Sequence, residues 1–169
     1  CAVFRFRPLA EDQILEMVQE VAESEGLVLE NHGAAAVVHV AMGDLRRAIT
    51  ALQVAASLSN NITRDLVYET TATAPPEELH AFLRSCQEDG FQPSRMKMYA
   101  IIDRFGLAGT DIVNQLHRSL ADVQFMTERE KLAVTEAMAE ADFRLVEGGG
   151  ESLQLDALTA RISTILKIN

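Results

Sequence analysis

Apolar residues recur three and four positions apart through most of this chain, the period of a helix that buries one face. Ile14, Leu15, Val18, Val21 and Ala22 set out an amphipathic helix over about 11–25, with Gly26 as its stop. Leu27-Val28-Leu29 reads as a short extended connection. Asn31 is a candidate cap for a second helix, an almost wholly buried rod through Ala35, Ala36, Val38, His39 and Met42 that ends at Gly43. Asp44 caps a third helix, about 45–58, with Leu45, Ile49, Leu52 and Ala56 on one face. Asn60-Asn61 predicts a turn, and Thr63 caps a short fourth helix to about Thr70.

The run Thr71-Ala72-Thr73-Ala74-Pro75-Pro76 is small, polar and proline-rich, so it reads as a linker between units 1–73 and 74–169. The second unit is also helical. Pro75-Pro76-Glu77-Glu78 opens a helix with acid in its first turn, carrying Leu79, Phe82 and Leu83 and stopping at Gly90. The next holds Met96, Met98, Tyr99, Ile101 and Ile102 and stops at Gly106; another starts at Thr110 or Asp111 with Ile112, Val113, Leu116 and Leu120. Thr127 and Glu130 have the spacing of a capping box at the head of a long helix to about Val146. Gly148-Gly149-Gly150 breaks it, and a last helix, about 152–166, carries Leu153, Leu155, Leu158, Ile162, Ile165 and Leu166. A core face is the first reading of that last stripe; subunit contact is the second. The fold class expected is all-α.

The chain has 169 residues, 48% of them hydrophobic, so a core can form. Net charge is −10, which argues against nucleic-acid binding over the whole surface, since phosphate contacts need clustered Lys and Arg. The two cysteines, Cys1 and Cys86, have no CxxC spacing, so unpaired thiols in a reducing, cytoplasmic setting are expected. No stretch approaches a membrane span. Cys1-Ala2-Val3-Phe4-Arg5-Phe6-Arg7-Pro8-Leu9 alternates like the end of a strand with no sheet to join, so a longer protein is expected to precede it.

Little in the chain carries chemistry. His32, His39, His80 and His117 lack ligand partners at helical spacing, so no metal site is expected. There is no GxSxG, HExxH or phosphate-loop motif. The glycine run lies between helices and reads as a turn. What stands out is Gly43-Asp44-Leu45-Arg46-Arg47-Ala48-Ile49, a helix start with two arginines in its first turn. Cations are disfavoured there by the helix dipole. Either the arginines reach into water, or an anion comes to meet them.

Gly43-Asp44-Leu45-Arg46-Arg47-Ala48-Ile49 resembles the sensor-2 motif of AAA+ clamp loaders, particularly the archaeal replication factor C small subunit. The opening Cys1–Leu9 stretch is similar to the segment that leaves the ATPase core in that family. Glu140-Ala141-Asp142-Phe143-Arg144-Leu145-Val146-Glu147-Gly148, followed by Glu151, Leu153, Gln154 and Leu155, resembles its signature near the C-terminus. The three stretches fall in the family's order and span the chain.

The resemblance implies an AAA+ lid, a small helical bundle, at 1–73 and a helical collar at 74–169. Arg46 is the position that would reach ATP phosphates in the full-length protein, and Arg47 would do packing or salt-bridge work. Cys1 looks like the last residue of a Ser-Arg-Cys motif. ATP and Mg would act in the full-length protein, with neither expected to bind this fragment, which is not expected to be an enzyme alone. Other clamp-loader subunits would meet the collar in a homo- or hetero-oligomer. The sliding clamp and primed DNA would be met mainly by the core. Two other readings stand beside this one. One is the lid of an origin-recognition or branch-migration ATPase, which usually has a winged-helix domain after the lid. The other is a stand-alone helical scaffold.

Overall fold

The computed structural model describes residues 7–167. The strand-like alternation of Val3 to Phe6 lies outside them. Among the described residues there are nine α-helices and one two-stranded ladder. The chain divides into two compact units, Cys1–Thr73 and Ala74–Asn169.

In the first unit, α1 (Glu11–Ser24), α2 (Asn31–Ala41), α3 (Leu45–Leu58) and α4 (Arg64–Thr70) pack together. Ile14, Val18 and Ala22 form the buried face of α1. Gly26, at φ +67°, ends that turn in a conformation other residues resist. The segment after it is more than a connection: β1 (Val28–Leu29) pairs in parallel with β2 (Asn61–Ile62), so the chain bends at Asn60 and Asn61 begins a strand instead of completing a turn. Asn31 is the first residue of α2, and Glu30 occupies the cap with no side-chain bond. The helix ends at Ala41, with left-handed Met42 after it.

Two apolar faces differ from the expectation. In α2 the buried residues are Gly33, Ala34, Ala36, Val37, Val40 and Ala41, while Ala35 and His39 are exposed. A helix apolar nearly all round hides its own phase. In α3 the buried residues are Ala48, Ala51, Leu52 and Ala55, while Leu45, Ile49 and Ala56 are half-buried flanks. Interaxial distance depends on the side chains at the contact, so an alanine stripe lets α3 approach its neighbours closely. Gly33 serves the same end: a Cβ there would run into the carbonyl oxygen of Ile62.

The second unit holds α5 (Pro76–Glu88), α6 (Phe91–Phe105), α7 (Gly109–Ser119), a 3-10 turn at Leu120–Asp122, α8 (Glu128–Val146) and α9 (Glu151–Lys167). Pro76 sits at the first helical position, where its missing N–H costs nothing. Gly90 and Gly106, both at positive φ, follow α5 and α6. Helix α7 starts at Gly109, one residue before Thr110 and two before Asp111, with the Glu151 carboxylate accepting from the Gly109 N–H at 2.8 Å. The capping box is present: Glu130 Oε2 accepts from the Thr127 N–H at 2.7 Å, and Thr127 Oγ1 from the Glu130 N–H at 3.3 Å. Gly148-Gly149 turns α8 into α9, the Gly149 N–H donating to the Arg144 carbonyl.

The core of this unit is built from Phe82, Leu83, Met98, Phe105, Ile112, Leu116, Met138, Leu155 and Ile162. Leu155, Leu158 and Ile162 are therefore core, not contact surface, and Ile165 beside them is half-buried. Met96 and Leu153, expected inside, are exposed at 71% and 67%. The stretch read as a linker is partly built in, since Ala74 is buried and its N–H donates to Gln115 Oε1 at 2.8 Å.

Candidate functional site

The start of α3 is a tight reversal of the chain. The Asp44 N–H donates to the Ala41 carbonyl at 3.0 Å, closing a turn whose central residues, Met42 and Gly43, have φ +50° and +81°. Two positive φ angles in succession are what a mirror-image turn requires, and they favour glycine. The Asp44 carboxylate then caps α3, accepting from the Arg46 N–H at 2.8 Å and the Arg47 N–H at 3.4 Å. It satisfies two otherwise unpaired donors and places negative charge on the positive end of the helix. Two arginines in the first turn are tolerable for that reason.

Both arginine side chains are exposed, and among the described residues neither pairs with a carboxylate. Of the packing or salt-bridge work expected of Arg47, no salt bridge is formed among the described residues. As adjacent residues they point about 100° apart around the helix. A guanidinium without an internal partner is available to an external anion, and its planar fork suits phosphate.

The four histidines are not brought together. His39 meets the Tyr68 ring edge-on at 5.7 Å, with Nδ1 3.4 Å from the hydroxyl. His80 Nε2 lies 3.2 Å from the Ser119 carbonyl and donates to it. His32 and His117 are exposed. Among the described residues no three His, Cys, Asp or Glu side chains are grouped to hold a metal ion. Cys86 is free and fully buried, and burial pushes its thiol pKa up, away from reactivity.

One polar cluster escaped the sequence reading. Arg95 Nε donates to Asp156 Oδ1 at 2.7 Å, and the Tyr99 hydroxyl lies 3.1 Å from the same oxygen and 3.2 Å from the Ser152 carbonyl. Arg95 stacks 4.8 Å above the Tyr99 ring. Arg95, Met96, Tyr99, Ala100, Asp103 and Ser152 line an open groove of about 420 Å³. Arg95 and Tyr99 could have been linked by their four-residue spacing; Asp156, on another helix, could not.

Residues 74–161 match the family described as Replication factor C C-terminal domain. The chain belongs to the replication factor C family. The matched residues lie within the second compact unit. Among the described residues that unit contains no strand. The chain is 42% identical over 160 residues to the Replication factor C small subunit of Methanocella arvoryzae, covering 95% of this chain and 49% of that protein. It is 37% identical over 165 residues to the protein of that name from Methanococcus maripaludis strain C7, covering 98% and 52%. Against the Thermococcus kodakarensis protein of that name identity is 40% over 167 residues, covering 99% and 19%. The chain thus spans about half the length, or less, of the curated relatives it matches. No helix among the described residues is long and apolar enough to cross a membrane.

Proposed function

We propose that this chain is the lid and collar of a clamp-loader small subunit, and that in the full-length protein it couples ATP binding and hydrolysis to opening a sliding clamp for primed DNA. The observation that carries this reading is the pairing of two features. The second unit matches the replication factor C C-terminal domain, and the first sets, two residues after a mirror-image turn, an exposed Arg46 that has no ion-pair partner among the described residues. The first unit is the lid and the second the collar, through which other subunits assemble into a ring.

Arg46 is the phosphate-sensing residue in this reading. The donor chemistry fits: a permanently charged fork on a capped helix start, free to form charge-assisted bonds to an anion. One guanidinium in water does not hold a nucleotide, since phosphoryl sites combine loop amides, a lysine and a metal ion. ATP and Mg therefore act in the full-length protein, and the segment alone neither binds ATP tightly nor hydrolyses it. Attraction of Arg46 to the phosphates biases the lid towards closure, and loss of the terminal phosphate relaxes it.

The test is Arg46→Ala in the full-length protein. One charge-assisted contact is worth about 1.5–3 kcal/mol, so ATP-dependent clamp opening should fall roughly tenfold or more. Arg46→Lys should recover only part of it, because an ammonium lacks the fork. An unchanged clamp-loading rate in Arg46→Ala would remove the role.

A further inference from the structure

The turn that launches α3 is held from outside by the segment entering the unit. The Leu9 N–H donates to the Gly43 carbonyl at 2.9 Å. Pro8 lies against the Cα of Gly43 so closely that a Cβ added there would sit 2.6 Å from Pro8 Cβ and 3.4 Å from Pro8 Cα. Proline has a fixed φ, so this contact is made by a stiff piece of chain. On the other side of Gly43 stand Met42 in the left-handed region and the Asp44 cap. A non-glycine residue at positive φ is strained and persists only where its surroundings over-determine it. Arg46 follows two residues after the cap, on the first turn of a helix whose direction this turn sets.

We infer that Pro8 and Leu9 are positioning residues for Arg46: the entering segment grips the Gly43 turn and so fixes where the guanidinium stands. The grip is a hydrogen bond through the backbone of Leu9 and a surface contact through the ring of Pro8. Displacement of residues 8–9 is then passed to the first turn of α3 directly, without waiting for the helical core to repack. The inference rests on the reading of Arg46 as the phosphate sensor.

The experiment compares Arg46→Ala, Gly43→Ala and the pair Gly43→Ala with Pro8→Gly in the full-length protein. Each is measured for KM and kcat of ATP hydrolysis and for thermal unfolding. A tilt of the first turn weakens a charge-assisted contact partially, so Gly43→Ala should raise KM for ATP about tenfold. A merely structural defect would instead lower the active fraction, reducing apparent kcat at unchanged KM. Pro8→Gly removes the nearest obstructing atom while the Leu9 hydrogen bond still holds the turn, so the pair should recover KM to within about threefold of the parent, the residual being the lost ring contact and the strain of alanine at positive φ. If Arg46→Ala leaves both constants unchanged, the phosphate-sensing reading fails and the inference goes with it. If Arg46→Ala raises KM but Gly43→Ala does not, the grip is overturned while the sensor stands. If Gly43→Ala raises KM and Pro8→Gly fails to recover it, the effect comes from the strained φ, and the role of Pro8 is overturned.

Discussion

Asp44 does two jobs: its backbone N–H closes a turn, and its carboxylate makes an arginine-bearing helix start tolerable. Asp44→Ala should destabilise the first unit by about 1 kcal/mol, read as a lower midpoint in urea. Asp44→Asn keeps the hydrogen-bond acceptor and should recover most of that loss. Further along, one thiol and two phenols have raised proton affinities. Burial raises the pKa of Cys86 above its ordinary 9.0, and burial raises those of Tyr68 and Tyr99 above 10.0. A raised pKa in the native state means that the native form binds protons more tightly than the unfolded chain. The associated stability is complete below pH about 9 and is lost as pH rises through and above that region. Denaturant midpoints should therefore fall between pH 8 and pH 10.5, and Cys86→Ala should flatten the first part of that fall. A midpoint that rose with pH would contradict the assignment. Asp44 as a cap was legible from its sequence position; the proton affinities were not, because burial of Cys86 depends on helices α6 and α9 closing over it.

At the scale of elements, helix ends were readable and helix faces less so. Thr127 and Glu130 are three apart, and the reciprocal bonds follow from local geometry. Thr127→Ala should cost about 1 kcal/mol, seen as earlier fraying of α8 in amide exchange. The alanine-rich helices were harder. Periodicity weighs large side chains, so Leu45 and Ile49 attracted the assignment that belongs to Ala48, Ala51 and Ala55. The parallel pairing of Val28–Leu29 with Asn61–Ile62 left no local signal, since each strand is two residues long and its partner is remote. Gly33→Ala tests that region: the added methyl meets the Ile62 carbonyl, so the variant should lose roughly 1–3 kcal/mol. An unchanged denaturation midpoint would mean that α2 and β2 are not held this tightly.

Over the whole molecule, the division at Thr73 and Ala74 separates cores of different quality. The first is lined largely by alanine and valine; the second contains Phe82, Phe105, Met98 and Met138. Apolar burial contributes about 25 cal/mol per Å², so the larger side chains carry more of the stability. A fragment of residues 74–169 should fold alone with helical circular dichroism and cooperative thermal unfolding. A broad, non-cooperative melt would show that it depends on the preceding unit. The fragment 1–73, at about seventy residues, should be marginal alone.

The chain by itself determined its class, most helix limits, the Asp44 cap, the Thr127–Glu130 box and the place of Arg46, because each depends on residues within one or two turns of each other. Tertiary structure decided which faces are buried, the pairing of β1 with β2, the Arg95–Tyr99–Asp156 cluster and the contact of Pro8 with Gly43. Those depend on segments separated by about thirty to sixty residues. Their closeness is set by how whole helices pack, and no local period records it.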